Sequence, residues 1–285
     1  MSKDIAVLIK NGMPGFSKGK RRIADAILHS YDRAAYMTAS KLGEMVGVSE
    51  STVVRFANEL GFDGYPEFQR AVQELVKTKL TPNQRIDITD QRIGEGNLIE
   101  KVMHSDMEKI RYTLDSIDRD TFTAAVDAIV SARNIYIFGV RSSASLAGFL
   151  NFNLNMIFDN VRLVQPTSSS DVFEQILGIS EQDVLIGISF PRYSTKVVNA
   201  VKYARDRNAS VIALTDSTLS PIAEHANYLL TAQSDMASFV DSLVAPLSII
   251  NSILVAITQK KRDAVKERFE HLEQVWDEYD VYTKR

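Results

Sequence analysis

Between Thr38 and Phe62 the chain reads TASKLGEMVGVSESTVVRFANELGF, and its polar residues fall where they could meet the edges of base pairs. On a helix that starts after Ser49, Val53, Phe56, Ala57 and Leu60 share one side, which turns Glu50, Ser51, Thr52, Arg55 and Asn58 to the other. Arg, Asn and hydroxyl side chains near a helix N-terminus match the donor and acceptor patterns of the DNA major groove. Just upstream, Thr38 is placed to cap a first helix whose Leu42, Met45 and Val46 face inward. Gly47 is placed to end that helix in the left-handed conformation, and Ser49 to cap the next. Lys18, Lys20, Arg21, Arg22 and Lys41 offer cations for phosphates. The DNA-contacting set expected here is Lys20, Arg21, Lys41, Ser49, Ser51, Thr52, Arg55 and Asn58. A helix-turn-helix that merely packs against another protein is the alternative for the same pattern.

A second set of polar residues follows two apolar runs. IYIFG leads into Gly139-Val140-Arg141-Ser142-Ser143, and VLIGIS leads into Ser189-Phe190-Pro191-Arg192-Tyr193-Ser194-Thr195, each just before a helix. Free backbone N–H groups at a helix start attract an anion, and hydroxyls and guanidinium forks add donors to phosphate oxygens. A third loop, Thr167-Ser168-Ser169-Ser170 before Asp171, is positioned to close over the same crevice. The ligand set expected for a sugar phosphate is Arg141, Ser142, Ser143, Ser168, Ser169, Ser189, Arg192, Ser194 and Thr195. For any one serine, helix capping fits as well as ligand contact. For Arg141 and Arg192, an internal ion pair with a local Asp or Glu fits as well as phosphate binding.

The elements that must position these groups are legible in outline. A length of 285 residues is long for one domain. Residues 1–79 show apolar residues at helical spacing in short segments and read as an all-α domain, with MSKDIAVLIKNG as a short helix and not a signal peptide. Residues 80–97, with Pro82, Gly94 and Gly96 in a polar setting, read as a linker. From 98 to 285 a second domain begins with two helices, one striped by Leu98, Val102, Met103, Met107, Ile110 and Leu114, the other by Phe122, Val126, Ile129 and Val130. The runs IYIFGV, VRLVQ, DVLIGIS, SVIALTD and YLLTA then alternate with amphipathic helices. That alternation predicts a doubly wound α/β domain with a mainly parallel five-stranded sheet. Ligands in such sheets bind beyond the carboxyl ends of the strands. Val244–Ile257 is too short and too interrupted to span a bilayer and reads as a buried helix, and the chain closes on a charged helix.

Composition narrows the class. There is no cysteine, so disulfides and thiol or Cys-based metal sites are excluded, which suits a cytoplasmic protein. The net charge of −3 is uneven: residues 1–80 carry 12 Lys and Arg against 9 Asp and Glu, the remainder 21 against 27. A basic excess in the helical part is compatible with a polyanion partner.

The segments FSKGKRRIADAILHS and MTASKLGEMVGVSESTVVRFANELGFDGYPEFQRAV closely resemble the N-terminal domain of the MurR/RpiR family of bacterial regulators. In the second segment Gly61 and Gly64 bracket a turn, while Phe62, Tyr65 and Phe68 read as core anchors. The loops of the second domain resemble those of the SIS (sugar isomerase) domain, which in that family is fused to the helix-turn-helix and binds phosphorylated sugars. In the common SIS pattern the first loop reads Gly-x-Gly-x-Ser, and here Gly139 and Ser143 match while Arg141 replaces the second glycine. The second loop, usually Ser-x-Ser-Gly-x-Thr, is matched by Ser189 and Thr195, with Pro191 and Arg192 in the middle of a loop one residue longer. The resemblance implies a transcriptional regulator of carbohydrate metabolism. Its expected partners are a double-stranded DNA operator and a phosphorylated sugar, and it is expected to be a homodimer or homotetramer without membrane, cofactor or metal.

The rival is an aldose–ketose phosphosugar isomerase of SIS type, which needs a base near the carbon that loses its proton. His225 with Glu224 is the only His–acid pair near the sheet, and Glu174 and Glu181 fit ordinary surfaces, so binding without turnover is the expectation. A dinucleotide fold is discounted, because Gly139 and Gly148 lack the fingerprint spacing and the next strand ends in Gln165.

Overall fold

The chain is helical from Ile5 to Gly12 (α1), with Ile5, Ala6 and Ile9 turned inward. The structure, a computed structural model, describes residues 5–93, 96–166, 168, 170–235 and 238–282. It divides into two units, Met1–Ile88 and Thr89–Arg285.

In the first unit α1 is followed by α2 (Lys18–His29), α3 (Tyr31–Ala34), α4 (Ala39–Val46), α5 (Glu50–Glu59) and α6 (Gly64–Lys79). Phe56 is its centre: Phe16 and Phe68 both pack edge-on against it, with ring centroids 5.1 and 5.9 Å away, and Phe62 packs on Phe68 at 5.7 Å. Phe62, Tyr65 and Phe68 are thus core residues. The Tyr65 hydroxyl donates to the Met37 carbonyl at 2.7 Å, and burial pushes its pKa up to about 12. Gly61 and Gly64 both take positive φ around the turn between α5 and α6.

The stretch 80–97 departs from the expected irregular linker, since Pro82–Ile93 forms a helix (α7). Thr81 and Gln84 cap it reciprocally: the Gln84 amide donates to Thr81 Oγ1 at 3.3 Å and the Thr81 amide to Gln84 Oε1 at 2.9 Å. Pro82 occupies the first helical position, where its missing N–H costs nothing. A helix this polar leaves little periodic signal, which is why the apolar pattern did not reveal it.

The second unit opens with α8 (Leu98–Ser116) and α9 (Arg119–Ser131), the latter capped by Asp118, which accepts from the Thr121 amide at 2.7 Å. That bond holds the Asp118 carboxyl below its usual range. Then follow β1 (Ile135–Gly139), α10 (Ser142–Asn155), β2 (Val161–Leu163), α11 (Asp171–Gln175), β3 (Val184–Ile188), α12 (Thr195–Asp206), β4 (Ser210–Thr215), β5 (Tyr228–Thr231), α13 (Val244–Lys260) and α14 (Arg262–Glu278). All five strands are parallel in the order β2-β1-β3-β4-β5, with Gly139 level with Ile188. β1 and β3 are buried along their whole length, as continuous β-branched runs require when both faces are covered. Helices α9, α10 and α13 cover one face and α11 and α12 the other. Among the described residues no helix is long and apolar enough to cross a membrane.

Two polar staples hold this unit. At the N-terminal edge of the sheet, Arg133 grips Asp183 through Nε to Oδ1 at 3.0 Å and Nη2 to Oδ2 at 2.6 Å, and Asn134 adds a bond at 2.9 Å. Burial alone would raise the Asp183 carboxyl, but these donors outweigh it and hold it below its usual range. The second staple ties α8 to the segment after β5. Thr113 Oγ1 accepts from the Gln233 amide at 2.9 Å, and the Ser242 hydroxyl donates to Asp106 Oδ1 at 2.7 Å.

Candidate functional site

The helix-turn-helix is built as its residue types dictate, with two differences. Thr38 caps α4, accepting from the Lys41 amide at 3.2 Å, and Gly47 ends that helix at φ 68°. Leu42 is fully buried and Val46 half-buried, but Met45 is exposed, because α4 offers the core a narrower face than its three apolar residues suggest. On α5, Val53, Phe56, Ala57 and Leu60 are buried. Ser49 stands at the N-cap without bonding a backbone N–H; its hydroxyl instead joins those of Ser51 at 3.0 Å and Thr52 at 2.8 Å.

Other polar residues of this face are also engaged within the protein. Arg55 lies back along α5, donating from Nε to the Ser51 carbonyl at 3.2 Å and from Nη2 to its hydroxyl at 3.3 Å. Asn58 accepts from the Gly64 amide at 3.1 Å and so serves the turn before α6. Of the basic residues, Lys20 is paired with Glu59. Arg21 reaches the Pro14 carbonyl at 3.3 Å, and Arg22 donates to the Gly47 carbonyl at 2.9 Å. Lys18 and Lys41 are exposed, their ammonium groups without partners among the described residues. Ser51, Arg55 and Asn58, spaced at i, i+4 and i+7, form one exposed row.

The second site lies at the C-terminal edge of the sheet, where β1 sends the chain to a helix on one face and β3 to a helix on the other. Such a topological switch point opens a crevice between the two strand ends. α10 begins so close over β1 that a Cβ on Gly139 would sit 2.6 Å from the Ser143 carbonyl oxygen. Ser143 is 4 % exposed and its hydroxyl makes no hydrogen bond among the described residues. Ser142 and Thr195, each the first residue of its helix, are exposed and likewise unbonded through their hydroxyls. Ser189 is buried, and its Oγ accepts a long bond of 3.4 Å from the Ser194 amide.

Arg141 and Arg192 answer the question their sequence left open. Both are exposed, and neither side chain makes an ion pair or hydrogen bond among the described residues, so no internal pair is found for them there. Both also take backbone conformations that favour glycine, Arg141 at φ 57°, ψ −127° and Arg192 at φ 63°. The third loop behaves differently. Ser168 is bonded to Asp171 through its amide at 3.0 Å and its hydroxyl at 2.5 Å, which is the capping role at the start of α11. Ser169 and Thr167 lie outside the described residues.

Sequence reasoning missed Tyr193 and Asp216. The Tyr193 hydroxyl donates to Asp216 Oδ1 at 2.8 Å, with Thr215 Oγ1 at 3.3 Å from the same oxygen, and so ties the β3–α12 loop to the end of β4. The signal was available, because an Asp directly after a buried strand of a parallel sheet stands at the ligand edge. His225 lies 3.3 Å from Glu224 in a short turn just before β5, at the opposite edge of the sheet from the crevice, and Glu181 precedes β3 at that same opposite edge.

Comparison with known proteins covers both units. The model of a helix-turn-helix domain of the rpiR family matches residues 3–79, and that of the SIS domain matches residues 128–256. An HTH-type transcriptional regulator of Haemophilus influenzae is 27 % identical over 271 residues, 92 % of this chain and 93 % of that protein. The sugar isomerase domain of an RpiR transcription factor from Sphaerobacter thermophilus superposes with a TM-score of 0.60 at 26 % identity, covering 63 % of this chain and 99 % of that one. The Vibrio vulnificus NanR protein, solved in complex with ManNAc-6P, shares the fold with a TM-score of 0.62 at 20 % identity, covering 98 % and 99 % of the two chains.

Proposed function

The chain belongs to the RpiR family of transcriptional regulators, which join a helix-turn-helix domain to a SIS domain, and from that premise we propose that its second unit senses a phosphorylated sugar and thereby sets the DNA affinity of the first. The observation that carries this reading is the set of unengaged donors at the β1/β3 switch point. Among the described residues the side chains of Ser142, Ser143, Thr195, Arg141 and Arg192 have no acceptor, and two helix N-termini add N–H groups and positive dipole ends. A phosphate dianion is the ligand chemistry that such donors suit. Ser189 and Ser194 complete the set at α12, and Ser168 leaves it for its capping role. That NanR is a fold neighbour bound to a sugar phosphate supports the same ligand class.

Binding occurs without turnover. Isomerisation needs a free base at the substrate; the pair His225–Glu224 stands at the wrong edge of the sheet for it, and Asp216, the carboxylate at the ligand edge, is engaged by the Tyr193 and Thr215 hydroxyls. In the cytoplasm, residues 1–79 form the DNA-binding head and residues 98–285 the sensor, assembled as a homodimer or homotetramer so that paired heads meet two operator half-sites. On the head, Arg55, Ser51 and Thr52 exchange their internal bonds for bonds to bases, while Lys41, Arg21 and Lys20 meet phosphates, Lys20 after leaving Glu59. The staple from Gln233 and Ser242 to α8 carries the signal, since those residues follow the C-terminal end of β5, on the same edge of the sheet as the crevice, and α8 is the first helix after the connecting segment. Effector and DNA are then coupled by about 1–3 kcal/mol.

The test is DNA affinity of the full chain with and without each of a panel of sugar phosphates, in the native protein and in Ser189→Ala/Thr195→Ala. The reading expects one phosphorylated sugar to shift affinity about 5- to 150-fold in the native chain only. An unchanged response in the double variant would move the sensing site elsewhere.

A further inference from the structure

Helix α8 buries polar side chains and exposes apolar ones. Lys109 and Thr113 are buried and Asp106 half-buried, Lys109 being only 6 % exposed with its ammonium bonded to Ser105 Oγ at 2.6 Å and 3.6 Å from Asp106. The adjoining side carries Ile99, Met103, Met107, Ile110 and Leu114, with Ile99 72 %, Met103 61 % and Leu114 61 % exposed. A surface helix ordinarily does the reverse, burying its apolar stripe and wetting its polar one. Next to Ile110 and Leu114 an apolar cavity of about 290 Å³ reaches Ile117, Phe122 and Ile249.

The exposed apolar area of the stripe is on the order of 500 Å², near the upper end of what a monomer leaves to water. With the cavity mouth and a polar rim it approaches the roughly 800 Å² per partner that a stable protein pair covers. We propose that this face is covered by α8 of a second copy of the chain, the two helices running antiparallel. Charge placement selects that direction. Glu100 and Arg111, both exposed, flank the stripe on the same side of the helix, about 16 Å apart along the axis. An antiparallel two-fold sets Glu100 beside the partner's Arg111, twice over, with the dyad close to Met107 at the middle of the stripe. The cavity beside Leu114 then faces the partner's N-terminal half, which brings apolar side chains to fill it.

The choice of a second copy rests on the regulator reading, which needs paired heads, and deepens it by making the first helix of the sensor the assembly surface. The staple of Asp106 and Thr113 to the segment after β5 occupies the adjoining side of the same helix, so a change at the C-terminal edge of the sheet reaches the helix that joins the subunits.

Two measurements on the full chain test the proposal together. Light scattering should give a mass of two or four chains for the native protein and half that for Met103→Glu/Leu114→Glu, with helical circular dichroism nearly unchanged because both residues are exposed in the single chain, and with the melting temperature lowered only by the loss of association. Because the sequence lacks cysteine, a single introduced thiol reports geometry without interference. Met107→Cys should form a disulfide-linked pair on oxidation, whereas Ile99→Cys should not, its two copies lying about 20 Å apart along the helix axis across the dyad. A monomeric native chain, an unchanged mass in the double variant, or Ile99→Cys cross-linking as readily as Met107→Cys would each overturn it. Sugar-phosphate binding measured on the same samples bears on the sensor reading alone, so the two failures are told apart.

Discussion

The paired strands β1 and β3 meet arginines at both edges of the sheet, Arg133 before β1 and Arg141 and Arg192 after β1 and β3, and the two edges are in opposite states. At the N-terminal edge Arg133 finds a buried carboxylate, and the Asp183 it grips also accepts from Asn134 and the Ser180 amide. At the C-terminal edge the side chains of Arg141 and Arg192 find no partner among the described residues, although each holds a backbone conformation that costs energy for any residue but glycine. A folded chain leaves donors unengaged and backbone strained where the missing partner comes from outside, and satisfies them where the task is to hold the sheet together. On the proposed reading, the difference separates a staple from a receptor within one pair of strands.

The contrast breaks most visibly at the staple. Asp183→Ala should destabilise the second unit by about 3 kcal/mol, because it leaves Arg133 and the Ser180 amide without their buried acceptor. Calorimetric melting checks this, and a loss below about 1 kcal/mol would deny the staple its role. The acid limb adds a sign. Asp183 is held below its usual pKa, so its contribution is complete above the ordinary carboxylate range and is lost as pH falls through its lowered value. The native protein should therefore lose stability in acid over a window in which Asp183→Ala does not.

At the receptor end the expected effects fall on binding. At 100 times its Kd the effector should stabilise the native chain by about 2.7 kcal/mol, and Ser189→Ala/Thr195→Ala should abolish that gain while the unliganded melt moves little. Arg55→Ala extends the contrast to the first unit, where the polar row is engaged internally until DNA arrives. It should cost about 1–3 kcal/mol and relax base preference more than it lowers the salt dependence, as competition binding on operator variants would show. The smallest effect sharpens the comparison most. Arg141→Gly should raise the stability of the unliganded protein by about 1 kcal/mol, by relieving the positive φ, and yet weaken effector binding. An arginine that served the fold would show both changes in the same direction.

Much of this architecture could be read from residue types. The five strands announce themselves as continuous β-branched runs because both faces of the sheet are covered, and the recognition helix shows its buried side through Val53, Phe56 and Ala57. The crevice loops were legible as hydroxyls and arginines ahead of helices. What failed was direction and engagement. Helix α7 lacks an apolar stripe and went unseen, and α8 has one that points to water, since periodicity marks a stripe but not the neighbour that covers it. Ser49 and Asn58 are engaged by hydroxyls and a turn amide that no linear spacing reveals, and the Tyr193–Asp216 tether joins residues brought together only by the sheet order.

The most direct test of the central claim is the thermal melt of the full chain against sugar phosphates, each paired with its unphosphorylated sugar, with NMR on the same mixtures. One phosphorylated compound should raise the melting temperature, its sugar should not, and no isomerised product should form. Product formation would make the crevice an active site, and a melt unmoved by every phosphorylated compound would contradict the sensor outright.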